Sequence, residues 1–121
     1  MTKIQNPKRY DLEERTFLFA KRCRDFVRGL PRTISNIEYG KQLIRSSGSQ
    51  ASNYIEANEA LSKKDFAHRI KICRKEAKES CLWIKLCSTG NNQHLLNEQG
   101  ILIQESMELT KIFASILGKS I

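Results

Sequence analysis

Residues 62–87 decide the fold, and they read SKKDFAHRIKICRKEAKESCLWIKLC. Apolar or small residues recur in this stretch at alternating steps of four and three, the spacing that lines up side chains on one face of a helix. They are Phe66, Ile70, Cys73, Ala77, Ser80, Ile84 and Cys87. Ser62 and Asp65 form an N-cap pattern before the run, and Gly90 favours a left-handed stop after it. The stretch therefore predicts a helix over residues 62–89 that packs against other helices.

Similar start and stop signals predict three further helices, over residues 11–29, 35–58 and 94–117. Asp11 is the expected N-cap of the first and Ser35 that of the second, and Ile34 and Leu61 are expected to pack as hydrophobic staples. The first three helices carry one apolar seam each, and the fourth carries a wider stripe. The seam of the first is Leu12, Thr16, Phe19, Cys23, Phe26 and Leu30; that of the second is Ile37, Ile44, Gly48, Ala51 and Ile55. The fourth stripe joins Leu95, Leu102, Leu109, Phe113 and Ile116 to Leu96, Ile103, Thr110 and Leu117.

Four helices of about 20 residues joined by short loops predict an all-α fold, an antiparallel up-down-up-down four-helix bundle. A length of 121 residues suits one domain spanning residues 1–121. The second seam uses smaller residues than the first, which predicts close helix approach along it. The fourth stripe is wider than one core requires, which favours a homo-oligomer. The polar and basic segment Met1–Tyr10 resembles neither a secretory signal nor a membrane anchor, so we expect a cytoplasmic protein with no membrane partner.

The formal net charge of +8 is distributed unevenly along the chain. Residues 1–32 hold nine basic and four acidic side chains, and residues 62–90 hold eight and three, whereas residues 33–61 and 91–121 each hold two and three. Such a surface favours polyanions through phosphate contacts, and RNA or DNA is the expected partner. The alternative is a solvated basic surface that only keeps the protein soluble. The candidate nucleic-acid-binding residues are Arg15, Lys21, Arg22, Arg24, Arg28, Arg69, Lys71, Arg74, Lys75 and Lys78.

No recognisable catalytic or cofactor-binding motif occurs in the sequence. His68 and His94 have no metal-ligand partner at helical spacing, and the four cysteines lack C-x-x-C spacing. We interpret the thiols as small packing groups and predict no cofactor, no metal and no enzymatic activity.

A polar cluster is predicted between the second and third helices. If they form a hairpin around residues 58–62, Arg45 meets Glu76 or Glu79, and Glu56 reaches towards Arg69, with Asn53 beside them. Such groups fix the register of helices or subunits, or alternatively line a polar ligand pocket. We favour the structural interpretation.

Four segments carry a family resemblance: LIRSS at 43–47, SNYIEA at 52–57, DF at 65–66 and IKICRKEAKES at 70–80. The chain resembles, over roughly residues 11–117, the bacterial four-helix-bundle family named for the protein encoded in intervening sequences of large-subunit ribosomal RNA genes. The resemblance implies a cytoplasmic protein that assembles as a homopentamer. Related bundles are accessory proteins of diversity-generating retroelements, which implies a reverse transcriptase as a further partner.

Two hypotheses for function follow. The first is a non-enzymatic oligomeric module that binds nucleic acid non-specifically through the basic faces of the first and third helices. The second is a structural or protein-partner module with no direct nucleic-acid role, for example a reverse transcriptase accessory protein.

Overall fold

The computed structural model describes residues 7–120, with the side chains of residues 12–119. It contains four helices, α1 (Pro7–Gly29), α2 (Ile34–Asn58), α3 (Lys63–Leu86) and α4 (Gln93–Ser120), and no strand within the described residues. The predicted all-α four-helix bundle is confirmed. Residues 1–6 and Ile121 lie outside the described residues, so the extent of a single domain over the whole chain stays a prediction.

The helix starts differ in part from the predicted ones. Ser62 caps α3 as predicted, and its Oγ accepts the Asp65 backbone N–H at 3.0 Å. Thr33 caps α2 in place of Ser35, because Thr33 has the extended backbone of an N-cap and its Oγ1 accepts the Asn36 N–H at 3.1 Å. The predicted cap at Asp11 is wrong, since α1 already begins at Pro7, a residue suited to the first helical position.

Neither predicted staple forms. Ile34 and Leu61 are 85% and 97% exposed, so neither side chain packs as a staple on the first turn of α2 or α3. Ile34 is the first residue of α2 and Leu61 lies just before Ser62, the cap of α3, and at both positions the side chain faces solvent.

Each helix packs on the next one in the chain, and α4 packs back on α1, so α1 lies diagonal to α3 and α2 lies diagonal to α4. Between α2 and α3, Ser46 pairs with Ser80 at 2.7 Å and Asn53 with Arg69 at 2.9 Å. The residue numbers fall on one helix as they rise on the other, which makes this pair antiparallel. The rings of Tyr54 and Phe113 meet across the core on the α2–α4 diagonal, 6.1 Å apart.

The predicted seams of α1 and α3 are confirmed. All six α1 seam residues are buried, and on α3 six of the seven are buried, with Phe66 packed partly against the core. The stripe of α4 is narrower than predicted, because Leu96 lies on the surface while Leu95, Leu102, Leu109, Phe113 and Leu117 are buried.

The predicted seam of α2 is wrong. Ile37, Ile44 and Ile55 are 37%, 46% and 53% exposed, and Gly48 is exposed as well. The buried face lies about one residue, or 100°, around the helix. It carries Asn36, Gly40, Leu43, Ser46, Ser47, Gln50, Tyr54 and Ala57.

Polar and small groups therefore form much of the inner face of α2. The close approach predicted along the isoleucine seam does not occur at its glycine, because a Cβ at Gly48 would meet no atom within 4 Å. Close approach occurs instead on the buried face of α2, at Gly40, where a Cβ would lie 2.8 Å from Cγ1 of Val27 in α1. Gly40 thus lets α2 lie close against α1.

Two loops meet at one end of the bundle. The buried Asn36 amide donates to the carbonyl oxygens of Pro31 and Ser88, both at 2.9 Å, and its Oδ1 accepts the Ser88 N–H at 2.9 Å. Gly90 has the predicted left-handed backbone (φ 64°), but it lies in the α3–α4 loop rather than directly at the helix end. A Cβ at Gly90 would lie 2.7 Å from Cγ of Pro31, so glycine is required there for space and for conformation.

Within the described helices, none has both the length and the apolar character needed to cross a lipid bilayer.

Candidate nucleic-acid interface

One side of α3 carries six exposed cations at helical spacing, which we call the α3 cationic face. Its members are Lys64, Lys71, Arg74, Lys75, Lys78 and Lys85. At 100° per residue they fall within one stripe on the α4 side of α3. None of them forms an ion pair with any residue in the described part of the chain.

The acidic residues of α3 do not interrupt this face. Asp65, Glu76 and Glu79 all fall on the other side of the helix, towards α2. The positive charge of α3 is therefore concentrated on the side that faces solvent beside α4.

The arginines of α1 lie in a different electrostatic setting. Arg15 binds Glu105 through two hydrogen bonds of 2.8 and 2.9 Å and also donates to Glu108 at 2.8 Å. Arg22 binds Glu98 through two hydrogen bonds of 2.9 Å. Such bidentate pairs hold each guanidinium in one orientation.

The titration of these groups follows from the same contacts. The hydrogen bond to Glu105 raises the pKa of Arg15, and the bond to Glu98 raises that of Arg22. The pKa of the Glu108 carboxyl is lowered, first by a hydrogen bond from Gln104 and then by Arg15. These arginines serve to hold α1 against α4, and carboxylates already neutralise them.

The remaining α1 candidates are only partly compensated. Arg24 and Arg28 lie 3.0 Å and 3.8 Å from the same Asp25 carboxylate oxygen, and all three side chains are exposed. Lys21 is exposed and makes no ion pair within the described region. Of the five α1 candidates, Arg15 and Arg22 are therefore paired with α4, Arg24 and Arg28 share one carboxylate, and Lys21 is unpaired within the described residues.

The two basic helices do not form one surface. α1 and α3 are diagonal in the bundle, and the α3 cationic face turns towards α4, away from α1. Arg69 is separate again, because it lies on the α2 side of α3 and donates to Oδ1 of Asn53 at 2.9 Å.

The predicted polar cluster between α2 and α3 is present. Arg45 lies 3.5 Å from both Glu76 and Glu79, and Ser49 donates to Glu76 at 3.3 Å. Asn53 in turn donates to the backbone oxygen of Ser49 at 2.9 Å. Each group finds its partner within the cluster, as expected for an interhelix contact that sets register.

Glu56 is the predicted member that the structure leaves out. It is exposed and forms no ion pair with Arg69 or with any other described residue. Arg69 bonds to Asn53 instead, because Asn53, three residues before Glu56, lies on the side of α2 that faces α3.

The cysteines do not come together as a metal site. Cys23, Cys73 and Cys87 are buried and Cys81 is partly buried, and no group of three metal-ligating side chains occurs in the described residues. Burial raises the pKa of Cys73 to about 12 and that of Cys87 to about 11, and it also raises the pKa of Cys23. These thiols stay protonated at neutral pH, which fits a packing role.

Sequence comparison agrees with this architecture. The model of the family described as 23S rRNA-intervening sequence protein matches residues 8–115. The chain belongs to this family. A crystal structure of a protein with unknown function from the S23 ribosomal protein family of Bacteroides thetaiotaomicron VPI-5482 is similar in fold, with a TM-score of 0.72 and 25% identity. The match covers 87% of this chain and 96% of that one. No curated protein matches the chain significantly.

Membership of the 23S rRNA-intervening sequence protein family accounts for the helical bundle but assigns no chemistry to particular side chains. The arrangement of charge on α1 and α3 is therefore the feature from which a function is inferred.

Proposed function

We propose that this protein is a non-enzymatic, self-assembling four-helix module that binds nucleic acid without sequence preference, chiefly through the α3 cationic face. The observation that carries the proposal is the set of six exposed cations with no carboxylate partner in the described residues. The arginines of α1 that pair with α4 should attract a phosphate less strongly, because the neighbouring carboxylates offset their positive charge. The sequence alone points to the basic faces of both α1 and α3, and the ion pairs of α1 are the reason to place binding chiefly on α3.

The geometry of the face suits phosphates better than bases. From Lys64 to Lys85 it extends roughly 32 Å along the helix axis, enough to follow several phosphates of one strand. Reading bases would need exposed aromatic rings or a helix that presents hydrogen-bonding groups to a groove. Trp83 of α3 stacks on Tyr39 with ring centres 6.0 Å apart, and both residues are partly buried. Binding by charge alone is expected to be indifferent to sequence.

Fluorescence anisotropy with labelled RNA and DNA of scrambled sequence tests the proposal. Binding should weaken steeply with salt, because each neutralised phosphate releases counterions. The double reversal Arg74→Glu/Lys78→Glu should reduce affinity at low salt at least tenfold. It should also reduce the slope of log affinity against log salt concentration by the equivalent of about two phosphate contacts.

The matched control changes the same formal charge on α1. Arg24→Glu/Arg28→Glu also removes two cations and adds two anions, yet both arginines already share Asp25. It should reduce affinity much less than the α3 variant. Equal losses in the two variants would show that net charge, and not the α3 face, controls binding. Circular dichroism and light scattering verify that helical content and assembly are unchanged.

No binding to any nucleic acid at low salt would favour the second hypothesis, a protein-partner or structural module. That hypothesis draws support from apolar side chains on the outside of α2 and α4. Self-assembly is common to both hypotheses, and light scattering should report a mass several times the 14.0 kDa of one chain.

A further inference from the structure

A line of uncharged residues runs along the side of α4 that adjoins α3, and we call it the α4 strip. Its members are Leu96, Gly100, Ile103, Met107, Thr110 and Ala114. Their steps of four and three residues place them in one line along the helix, roughly 27 Å long. Leu96 and Met107 are 51% and 43% exposed, and Ile103 packs partly against the core. Single exposed apolar side chains need no explanation, but an ordered line of them is typical of a binding surface.

The α4 strip lies beside the α3 cationic face. A short loop joins α3 to α4 and the two helices pack on each other, so they run in opposite directions. Gln99 of α4 donates to the carbonyl oxygens of Ile84 and Cys87, both at 3.0 Å, which places the start of α4 on the end of α3. Counted away from this contact by equal numbers of residues, Met107 lies roughly level with Lys78. The cations and the strip therefore form two parallel rows, separated by about the 8–10 Å between neighbouring helix axes.

This side of the bundle holds no carboxylate among the described residues. The acidic residues of α4, Glu98, Glu105 and Glu108, all pair with arginines of α1. The acidic residues of α3 lie on the side towards α2. A ligand that matches the α3–α4 side must therefore carry a row of negative charges beside a row of apolar surface.

An unpaired nucleic-acid strand has this pattern. Each nucleotide carries one phosphate charge and one flat base, and in a single strand the faces of the base are free to contact apolar side chains. In a duplex the bases are stacked inside and present only their edges in the grooves. A duplex could contact the cations but would leave the α4 strip uncovered. A straight row of cations on one helix also follows a flexible strand more closely than a strand that winds around a duplex axis.

We infer that the α3–α4 side binds single-stranded nucleic acid, with the phosphates on the α3 cationic face and the faces of the bases against the α4 strip. This inference rests on the proposed function and adds the class of nucleic acid to it. Leu82, which is 48% exposed between Lys78 and Lys85, extends the apolar contact onto α3. Aliphatic side chains form no hydrogen bonds with base edges, so the surface distinguishes strand form and not sequence.

Three labelled probes and one charge-neutral variant test the inference by fluorescence anisotropy. The probes are a DNA single strand of scrambled sequence, its duplex, and a strand of the same length whose sugars carry no bases. Leu82→Gln/Met107→Gln removes apolar groups without a change of charge, and glutamine has a helix propensity close to those of leucine and methionine. Ile34→Gln/Leu61→Gln is the matched control, at positions 85% and 97% exposed at the start of α2 and in the α2–α3 loop. Circular dichroism and light scattering verify that fold and assembly are unchanged.

At physiological salt we expect the wild type to bind the single strand at least about fivefold more tightly than the duplex or the strand without bases. Leu82→Gln/Met107→Gln should weaken binding of the single strand about fivefold to tenfold and change binding of the other two probes less than about twofold. The salt dependence should be unchanged, because no phosphate contact is lost. The control variant should bind all three probes as the wild type does.

Equal affinity of the wild type for the three probes would overturn the inference and leave binding by charge in place. An equal loss for all three probes in Leu82→Gln/Met107→Gln would overturn it too. A peptide helix of leucine and glutamate that loses affinity in this variant, while the single strand does not, would overturn it by assigning the surface to a protein partner. Absence of binding to every probe at low salt is the distinct result that overturns the proposed function together with this inference.

Discussion

Asn36 joins the α1–α2 loop, at Pro31, to the α3–α4 loop at Ser88, which lies 52 residues further along the chain than Asn36. Its side chain satisfies two backbone carbonyl groups and one backbone N–H at one end of the bundle. The sequence places Asn36 only as a residue near a helix start, and nothing in its neighbours indicates a contact with Ser88. Loop-to-loop contacts of this kind depend on how the helices pack, and the spacing of residues within one helix does not encode them.

We predict that Asn36→Ala destabilises the protein by about 2–3 kcal/mol, because the substitution removes three hydrogen bonds from a buried side chain to partly buried backbone groups of Pro31 and Ser88. Urea denaturation followed by circular dichroism measures the change. Ser35→Ala is the matched control, since Ser35 is exposed and is not the cap of α2, and it should change stability by less than about 0.5 kcal/mol. Equal effects at the two positions would contradict the role given to Asn36.

Gln50 is a second residue whose position the sequence does not predict. It is fully buried, and neither amide atom has a hydrogen-bond partner among the described residues. From the sequence, a glutamine flanked by Ser49 and Ala51 is expected on the surface, because buried polar groups are normally paired and no partner is evident nearby. The packing of four helices places it inside nevertheless.

The helix pair α2–α3 is the element whose polar contacts were best predicted. The hairpin register placed Arg45 opposite Glu76 and Glu79, and both contacts are present at 3.5 Å. Register follows from loop length and rise per residue, which are readable from sequence. The partner of Arg69 was not readable in this way. Asn53 and Glu56 lie less than one turn apart, so loop length and rise per residue do not decide which of the two faces Arg69.

We predict that Arg45 and Glu76 are coupled. Glu76 is largely buried while Arg45 is half exposed, so each single change to alanine should destabilise and the double change should cost less than the sum by about 0.5–1 kcal/mol. A double-mutant cycle in urea measures this coupling. The exposed pair Arg28 and Asp25, 3.8 Å apart, is the control and should show almost none. Additive losses of stability for Arg45 and Glu76 would mean that their contact does not contribute to the free energy of unfolding.

The stability of the whole molecule should depend on alkaline pH through its buried thiols. Folding raises the pKa of Cys73 from 9.0 to about 12 and that of Cys87 to about 11, so the unfolded chain loses these protons first. Below about pH 9 the thiols cause no pH dependence, and above it the free energy of unfolding falls as pH rises.

Denaturation at pH 8, 9 and 10 measures the slope. Cys73→Ala/Cys87→Ala should be less stable at pH 8 but lose stability less steeply towards pH 10. An unchanged slope in this variant would contradict the assignment. The same samples allow metal analysis, and we expect no stoichiometric zinc or iron.

The sequence by itself determined the helical class, the number of helices, most of their boundaries and the core faces of α1 and α3, because these depend on caps and on a 3.6-residue period. It also located the excess of positive charge on the first and third segments. Only the tertiary structure decided which of those charges are free, since Glu98, Glu105 and Glu108 come from a helix more than 70 residues away. It also decided which face of α2 is inside. Two faces of that helix are regular enough to pack, and the neighbouring helices select the one with serines and glutamine, which leaves the isoleucines on the surface.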